Sequence, residues 1–304
     1  MKEARAFAPC HITGFFQIFD RSPSALYMGS KGAGVSLSRG AETVVKARKA
    51  SESSLRVVIN GSVSNSAEVT RHVVDVFLSR FKEMDNFEIS VEHHFEVPVG
   101  AGLGTSGAAA LSLALALNEA FDLEMPKTEA AQLAHVAEVE CRTGLGTVIA
   151  ESFGGVEIRV KPGAPGIGKV RSLSVPNDTV VACLVFGPLS TREFLSDEKV
   201  RGRINEFGGK LVDELIEAPT ISNFLKFSRQ FAEHVGLITD RVRHVLNATD
   251  DAGIVCSMPM FGESVFTLIE QENVGQLLQI FRNPNSDRRI IVSEIDQEGA
   301  RLLW

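Results

Sequence analysis

An α+β fold in two parts is what this sequence predicts, and three observations predict it. Period-2 alternation and helical spacing both occur in each half of the 304-residue chain. The two patterns do not take turns as they would in a doubly wound parallel sheet. Residues 161–169, KPGAPGIGK, form the sharpest interruption, which sets a boundary near residue 165 and divides the chain into 1–165 and 166–304.

Val57 to Ile59 and the alternating Phe87-Glu88-Ile89-Ser90-Val91-Glu92 read as strands. Between them, Val69, Val73, Val76 and Phe77 recur at helical spacing and predict a helix over 66–81. A second helix is expected over 105–121, apolar on nearly every side and therefore buried on most of them. A third opens near Thr128, which can cap it, carries Ala130, Leu133, Ala134, Ala137 and Cys141 on one stripe, and stops at Gly144. Val156-Glu157-Ile158-Arg159-Val160 alternates like a strand, and Val180 to Phe186 reads as a buried one. Residues 190–248 are helix-rich, 253–269 and 289–295 are β-like, and a helix is expected around 275–281.

Composition narrows the class. Hydrophobic residues make up 44% and charged residues 23%, ordinary values for a water-soluble domain. A net charge of -7 argues against nucleic acid as a partner of the whole molecule. Cys10, Cys141, Cys183 and Cys256 are scattered, with no CxxC pair, which predicts reduced thiols. The start, MKEARAFAPCHITGFF, is broken by Pro9 and has no signal-peptide pattern. The longest uncharged run, 97–118, begins with Pro and Gly and leaves too short a helix to span a bilayer. A cytoplasmic protein with no membrane partner is the expectation.

The most informative stretch is Pro98-Val-Gly-Ala-Gly-Leu-Gly-Thr-Ser-Gly-Ala-Ala, which runs straight into the buried second helix. Glycines at 100, 102, 104 and 107 permit positive φ and close approach of a ligand to the backbone. The free amides of the first helical turn and the positive end of the helix dipole make an anion site there. Thr105 and Ser106 add hydroxyls for a phosphate oxygen or Mg²⁺. Two other phosphate motifs fit poorly. Gly102-Leu-Gly-Thr-Ser-Gly satisfies GxGxxG, but the helix leads to another helix where a dinucleotide fold needs its second strand. No GxxxxGK[ST] string occurs. A plain strand–helix connection of small residues is the remaining alternative, which the four glycines and two hydroxyls disfavour.

This loop resembles the Pro-x-x-x-Gly-Leu-Gly-Ser-Ser-small-small signature of the GHMP kinase superfamily, with Thr105 in place of the first serine. Gly253-Ile-Val-Cys-Ser-Met-Pro-Met-Phe-Gly-Glu-Ser-Val-Phe is similar to the superfamily's C-terminal motif, which leans over the nucleotide. Within the superfamily the chain most resembles the archaeal pantoate kinases. Ala8-Pro9-Cys10-His11-Ile12-Thr13-Gly14-Phe15-Phe16 is the most specific match, supported by Gly29-Ser30-Lys31-Gly32-Ala33-Gly34 and Arg142-Thr143-Gly144-Leu145-Gly146.

The resemblance implies a ribosomal S5 domain 2-like N-terminal domain and a ferredoxin-like C-terminal domain. It implies ATP and Mg²⁺ as cofactors, pantoate as substrate and 4-phosphopantoate as product, in coenzyme A biosynthesis. Nucleotide binding falls to Pro98, Gly100, Gly102, Leu103, Gly104, Thr105, Ser106 and Gly107, with Ser106 and Glu138 holding the metal. Ser30, His135, Arg159 and Thr191 fall where the family recognises pantoate, and the planar fork of Arg159 suits a carboxylate. A homodimer, built on the helix-rich second half, is the expected assembly.

Each of these residues also has a plainer reading. Glu138 can pair with Arg142 at i, i+4; His135 can be a partly exposed helix residue; Arg159 can be the solvated side of a strand; Thr191 can cap a helix. One departure touches the chemistry. The family carries a proton-accepting aspartate after its Gly-Leu-Gly turn, where this chain has Thr147. Retained activity comes first among three expectations, because phosphoryl transfer depends more on positioning and charge neutralisation than on early proton removal. Glu151, one helical turn on, is a second route to the same space. A nucleotide-binding protein with weak or no turnover, or a kinase for another small hydroxy acid, is the alternative.

Overall fold

A computed structural model describes residues 1–189, 197–282 and 289–304. Its frame is a long hairpin, β1 (Lys2–Phe19) and β2 (Gly29–Lys49), paired antiparallel along almost its whole length. Neither strand stands out in the sequence, for two physical reasons. The ladder shifts register between Pro9 and His11 and again between Thr13 and Phe15, so no single period-2 alternation survives. Both faces of β1 are also covered, by helices from the two halves of the chain, which removes the polar side that alternation needs.

The second half of β2 pairs with β5 (Phe87–Phe95) and its first half with β6 (Val156–Lys161). Beyond β5 lie β3 (Ser54–Ile59), parallel to it, and the short β4 (Ser62–Val63). The sheet continues past residue 165: β7 (Lys169–Leu173) pairs with β6, and the last strand, β11 (Arg301–Leu303), returns to the free edge of β1. A separate three-stranded sheet holds β8 (Thr179–Pro188) between β9 (Gly262–Glu270) and β10 (Arg289–Ser293).

Three helices of the first half follow the predicted spacing: α1 (Glu68–Arg80), α2 (Thr105–Ala120) and α3 (Lys127–Glu140). A short α4 (Thr147–Phe153), which the spacing did not predict, follows them. As its composition requires, α2 is buried on nearly every side, packed on β1, β2 and α3. Two details differ from expectation. Pro126, not Thr128, precedes α3, with no side-chain cap, and the helix ends at Glu140, followed by Arg142 at φ 57°. Of the β-like stretch 253–269, only the part from Gly262 onward joins the sheet, apart from an isolated bridge between Ser257 and Phe266.

In the second half, α5 (Glu198–Glu217) is capped by Asp197, and α6 (Ile221–Val235) and α7 (Asp240–Asp251) by Thr220 and Thr239. A short α8 (Val274–Phe281) precedes β10. Both α5 and α6 pack on β1, where Phe15 meets Phe224, Phe227 and Phe231 at ring separations of 6.2 to 6.4 Å. The mix of helices and sheets is the expected α+β fold. Among the described residues no helix is long and apolar enough to cross a membrane.

Candidate active site

The glycine loop takes the form its residues dictate. Gly100, Gly102 and Gly104 have φ of 80°, 76° and 70°. Gly104 is the residue before α2, and no side chain caps that helix, so its first-turn amides keep their donors for a ligand. Gly107 differs from expectation: it lies within the first helical turn, and its missing Cβ serves packing instead. A Cβ there would sit 2.7 Å from a carboxylate oxygen of Glu151 and 2.9 Å from Thr147 Cγ2.

The loop forms one wall of a cavity of about 400 Å³. Gly100, Gly102, Leu103, Gly104, Thr105 and Ser106 all line it, whereas Pro98 stands just outside the lining. Two contacts hold the loop from below and above. The His11 N–H donates to the Leu103 carbonyl at 3.0 Å, and the Ser264 hydroxyl donates to the Ala101 carbonyl at 3.0 Å. The C-terminal motif therefore does lie on the loop, and Met260 and Phe261 complete the cavity rim.

Beside Ser106 lies Glu138, on α3 and 1% exposed. Its Oε1 accepts a hydrogen bond from the Thr143 hydroxyl at 2.7 Å, while Oε2 has no hydrogen-bond partner among the described residues. Burial pushes its pKa up to about 7, with the Thr143 and Ser106 hydroxyls acting the other way. No ion pair joins Glu138 to Arg142 among the described residues, and Arg142 points to solvent. Thr147 opens α4 and lines the cavity, so this end of the cavity has a threonine hydroxyl.

Glu151 follows one turn later, fully buried beneath the glycine loop, and neither carboxylate oxygen has a hydrogen-bond partner among the described residues. Burial, then the nearby charges of Glu138 and Glu157, raise its pKa well above the usual carboxylate range.

Ser30 and Arg159 line the other part of the cavity. Arg159 is 1% exposed, so it is no solvated strand residue. It is anchored by Glu157, two residues before it on the same face of β6. Its Nε has no hydrogen-bond partner among the described residues and lies against Gly146, where Ser30 Oγ also approaches.

His135 does not line the cavity. It is buried, and Nε2 donates to the carbonyls of Met28 at 3.0 Å and Ala25 at 3.2 Å, which pins the turn leading into β2 and Ser30. Its pKa is lowered by burial, against those two carbonyls. Thr191 lies outside the described residues.

Sequence reasoning gave no role to His11, Thr13, Thr143 or Glu157. His11 and Thr13 stand in the most specific motif, and Glu157 shares the strand face of Arg159, so a period-2 reading of β6 was the available signal.

Comparison with known proteins identifies the family. The N-terminal domain profile of GHMP kinases matches residues 68–155. The chain is 35% identical to the pantoate kinase of Methanocaldococcus jannaschii, over 91% of this chain and 97% of that one. It is 36% identical to the pantoate kinase of Thermococcus kodakarensis, over 92% of each. A solved phosphotransferase related to the CoA biosynthesis pathway superposes with a TM-score of 0.89 at 33% identity, covering 99% of this chain and 98% of that one. On this identity over nearly its whole length, the chain belongs to the pantoate kinase family of the GHMP kinases.

Proposed function

We propose that this chain transfers the γ-phosphoryl group of ATP to the primary hydroxyl of pantoate, giving 4-phosphopantoate and ADP. The observation that carries the reading is one cavity with two anion-binding features of different kinds: uncapped helix amides for phosphate, and a buried arginine with an unpartnered N–H for a carboxylate. A substrate carrying both a hydroxyl and a carboxylate fits such a cavity. Family membership supplies the substrate's identity.

The residues fit Mg²⁺. A buried carboxylate oxygen of Glu138 without a partner, next to the Ser106 hydroxyl, is a hard oxygen donor set of the kind this ion takes. Glu138 and Ser106 would hold it, and when bound it neutralises charge on the phosphates.

The chain's own residues do the rest. Amides of Thr105, Ser106 and Gly107 orient the phosphate chain, and Gly262 and Ser264 hold the loop in place over it. Ser30 and Arg159 orient the pantoate carboxylate, and His135 supports Ser30 through the turn it pins. Thr147 orients the attacking hydroxyl without accepting its proton, so the reaction depends on positioning and on phosphoryl-group loosening in the transition state.

A coupled assay of ADP release across a panel of hydroxy acids tests the reading. Release that depends on pantoate and exceeds that with every other acid supports it. Nucleotide binding without pantoate-dependent release would favour a non-catalytic member of the family, the reading that Thr147 brings forward.

A further inference from the structure

Arg159 is the largest fully buried side chain among the described residues, and it closes into a ring with three others. Arg159 Nη1–H donates to Glu157 Oε1. Glu157 Oε2 accepts from His11 Nε2–H at 3.0 Å. His11 Nδ1 accepts from the Thr13 hydroxyl at 3.3 Å. Thr13 Oγ1 accepts from Arg159 Nη2–H, a long contact of 3.5 Å that completes the circuit.

The donor and acceptor roles agree all the way round. With Glu157 as acceptor and the imidazole neutral, His11 carries its proton on Nε2 and Nδ1 accepts from Thr13. The Thr13 oxygen then has lone pairs for Arg159. In that arrangement Glu157 offsets the guanidinium charge. The ring fixes the guanidinium plane through both Nη atoms, and Nε, against Gly146 and Ser30, is the guanidinium nitrogen left without a partner among the described residues.

We propose that His11, Thr13 and Glu157 are positioning residues that hold the guanidinium of Arg159 so that its leftover N–H edge meets the substrate carboxylate, and that this makes the site select an ionised hydroxy acid over its uncharged derivatives. The proposal rests on the kinase reading above. It explains why a buried arginine needs a histidine and a threonine as well as a counter-ion. A carboxylate pairs with a buried donor that otherwise stays unmet, whereas a neutral amide offers a weaker acceptor and an additional N–H to satisfy. His11 also ties the substrate side to the nucleotide side, because its main-chain N–H holds Leu103.

The test uses the full chain with Thr13→Val, which keeps the shape and removes the hydroxyl, and Thr13→Ser, which keeps the hydroxyl. Steady-state kinetics are measured with pantoate, with its neutral amide and with varied ATP. Thr13→Val is expected to raise KM for pantoate about ten-fold, the size of one lost hydrogen bond near a charged group. KM for ATP is expected to stay within about two-fold, and preference for pantoate over the amide to fall by the same ten-fold. Thr13→Ser should restore both. If Thr13→Val melts well below the parent, Thr13→Ala takes its place in the same measurements. An active parent whose KM for pantoate is unmoved by loss of the hydroxyl would overturn the ring alone, as would equal kinetics for the Val and Ser variants. A parent with no pantoate-dependent ADP release would overturn the kinase reading, and the ring with it.

Discussion

The Thr143 hydroxyl donates to Oε1 of Glu138 at 2.7 Å, so a residue shortly after α3 satisfies one oxygen of a buried carboxylate and leaves the other without a hydrogen-bond partner among the described residues. Glu138 is 1% exposed, and burial outweighs the help that the Thr143 and Ser106 hydroxyls give its charged form. A residue in such a position costs stability unless a cation arrives.

That cost has a sign that can be measured. The pKa of Glu138 is raised from 4.5 to about 7, so its folded form favours the proton. The stability this contributes is fully present below about pH 4.5 and is lost as pH rises through about 7. The gap corresponds to about 3 kcal/mol. Without nucleotide or Mg²⁺, Glu138→Gln should therefore melt several degrees above the parent at pH 8, and close to it at pH 5. The same variant should lose Mg-ATP-dependent turnover, as should Ser106→Ala. Equal melting at both pH values would show that Glu138 is not strained in the folded protein.

Thr147→Asp is expected to raise kcat by about two to four orders of magnitude, the share that a positioned proton acceptor contributes. KM for ATP should change little, because the amides of α2 are untouched. Glu151 gives this experiment a partner. It packs against Thr147 and Gly107, so Glu151→Gln in the parent reports whether the carboxylate one turn on helps catalysis. A Thr147→Asp variant slower than the parent would remove Thr147 from the site of proton transfer.

Gly262→Ala should weaken ATP binding far more than pantoate binding. A Cβ at 262 would lie 2.0 Å from the Ala101 carbonyl oxygen and 2.4 Å from the Gly102 N, contacts no folded chain tolerates. Loop and strand must then part, which moves the phosphate-binding amides. A rise in KM for ATP of about ten-fold or more, with a smaller change for pantoate, is the expected result. Unchanged ATP kinetics would mean that the loop holds its shape without β9.

Much of the cavity lining is legible in the sequence. Glycines and two hydroxyls where a loop runs into a largely apolar helix mark a candidate anion site, because backbone conformation and helix amides are local properties. Helices with a clear apolar stripe, such as α1 and α3, were legible for the same reason. The long hairpin β1–β2 was not, since it is buried on both faces and bulged twice. The role of His135 was legible only as a family position; its side chain faces the carbonyls of Ala25 and Met28 instead of the cavity.

What the amino-acid sequence by itself determined, then, is the α+β class, the glycine loop at the start of a buried helix and the family, each carried by residues close together in the chain. What only the tertiary structure decided is which buried charges meet. His11 and Glu157 are 146 residues apart, and Arg159 gains Thr13 across the same gap. Local pattern is blind to such pairs, because burial and the loss of water that gives them their strength exist only once β1, β2 and β6 lie side by side.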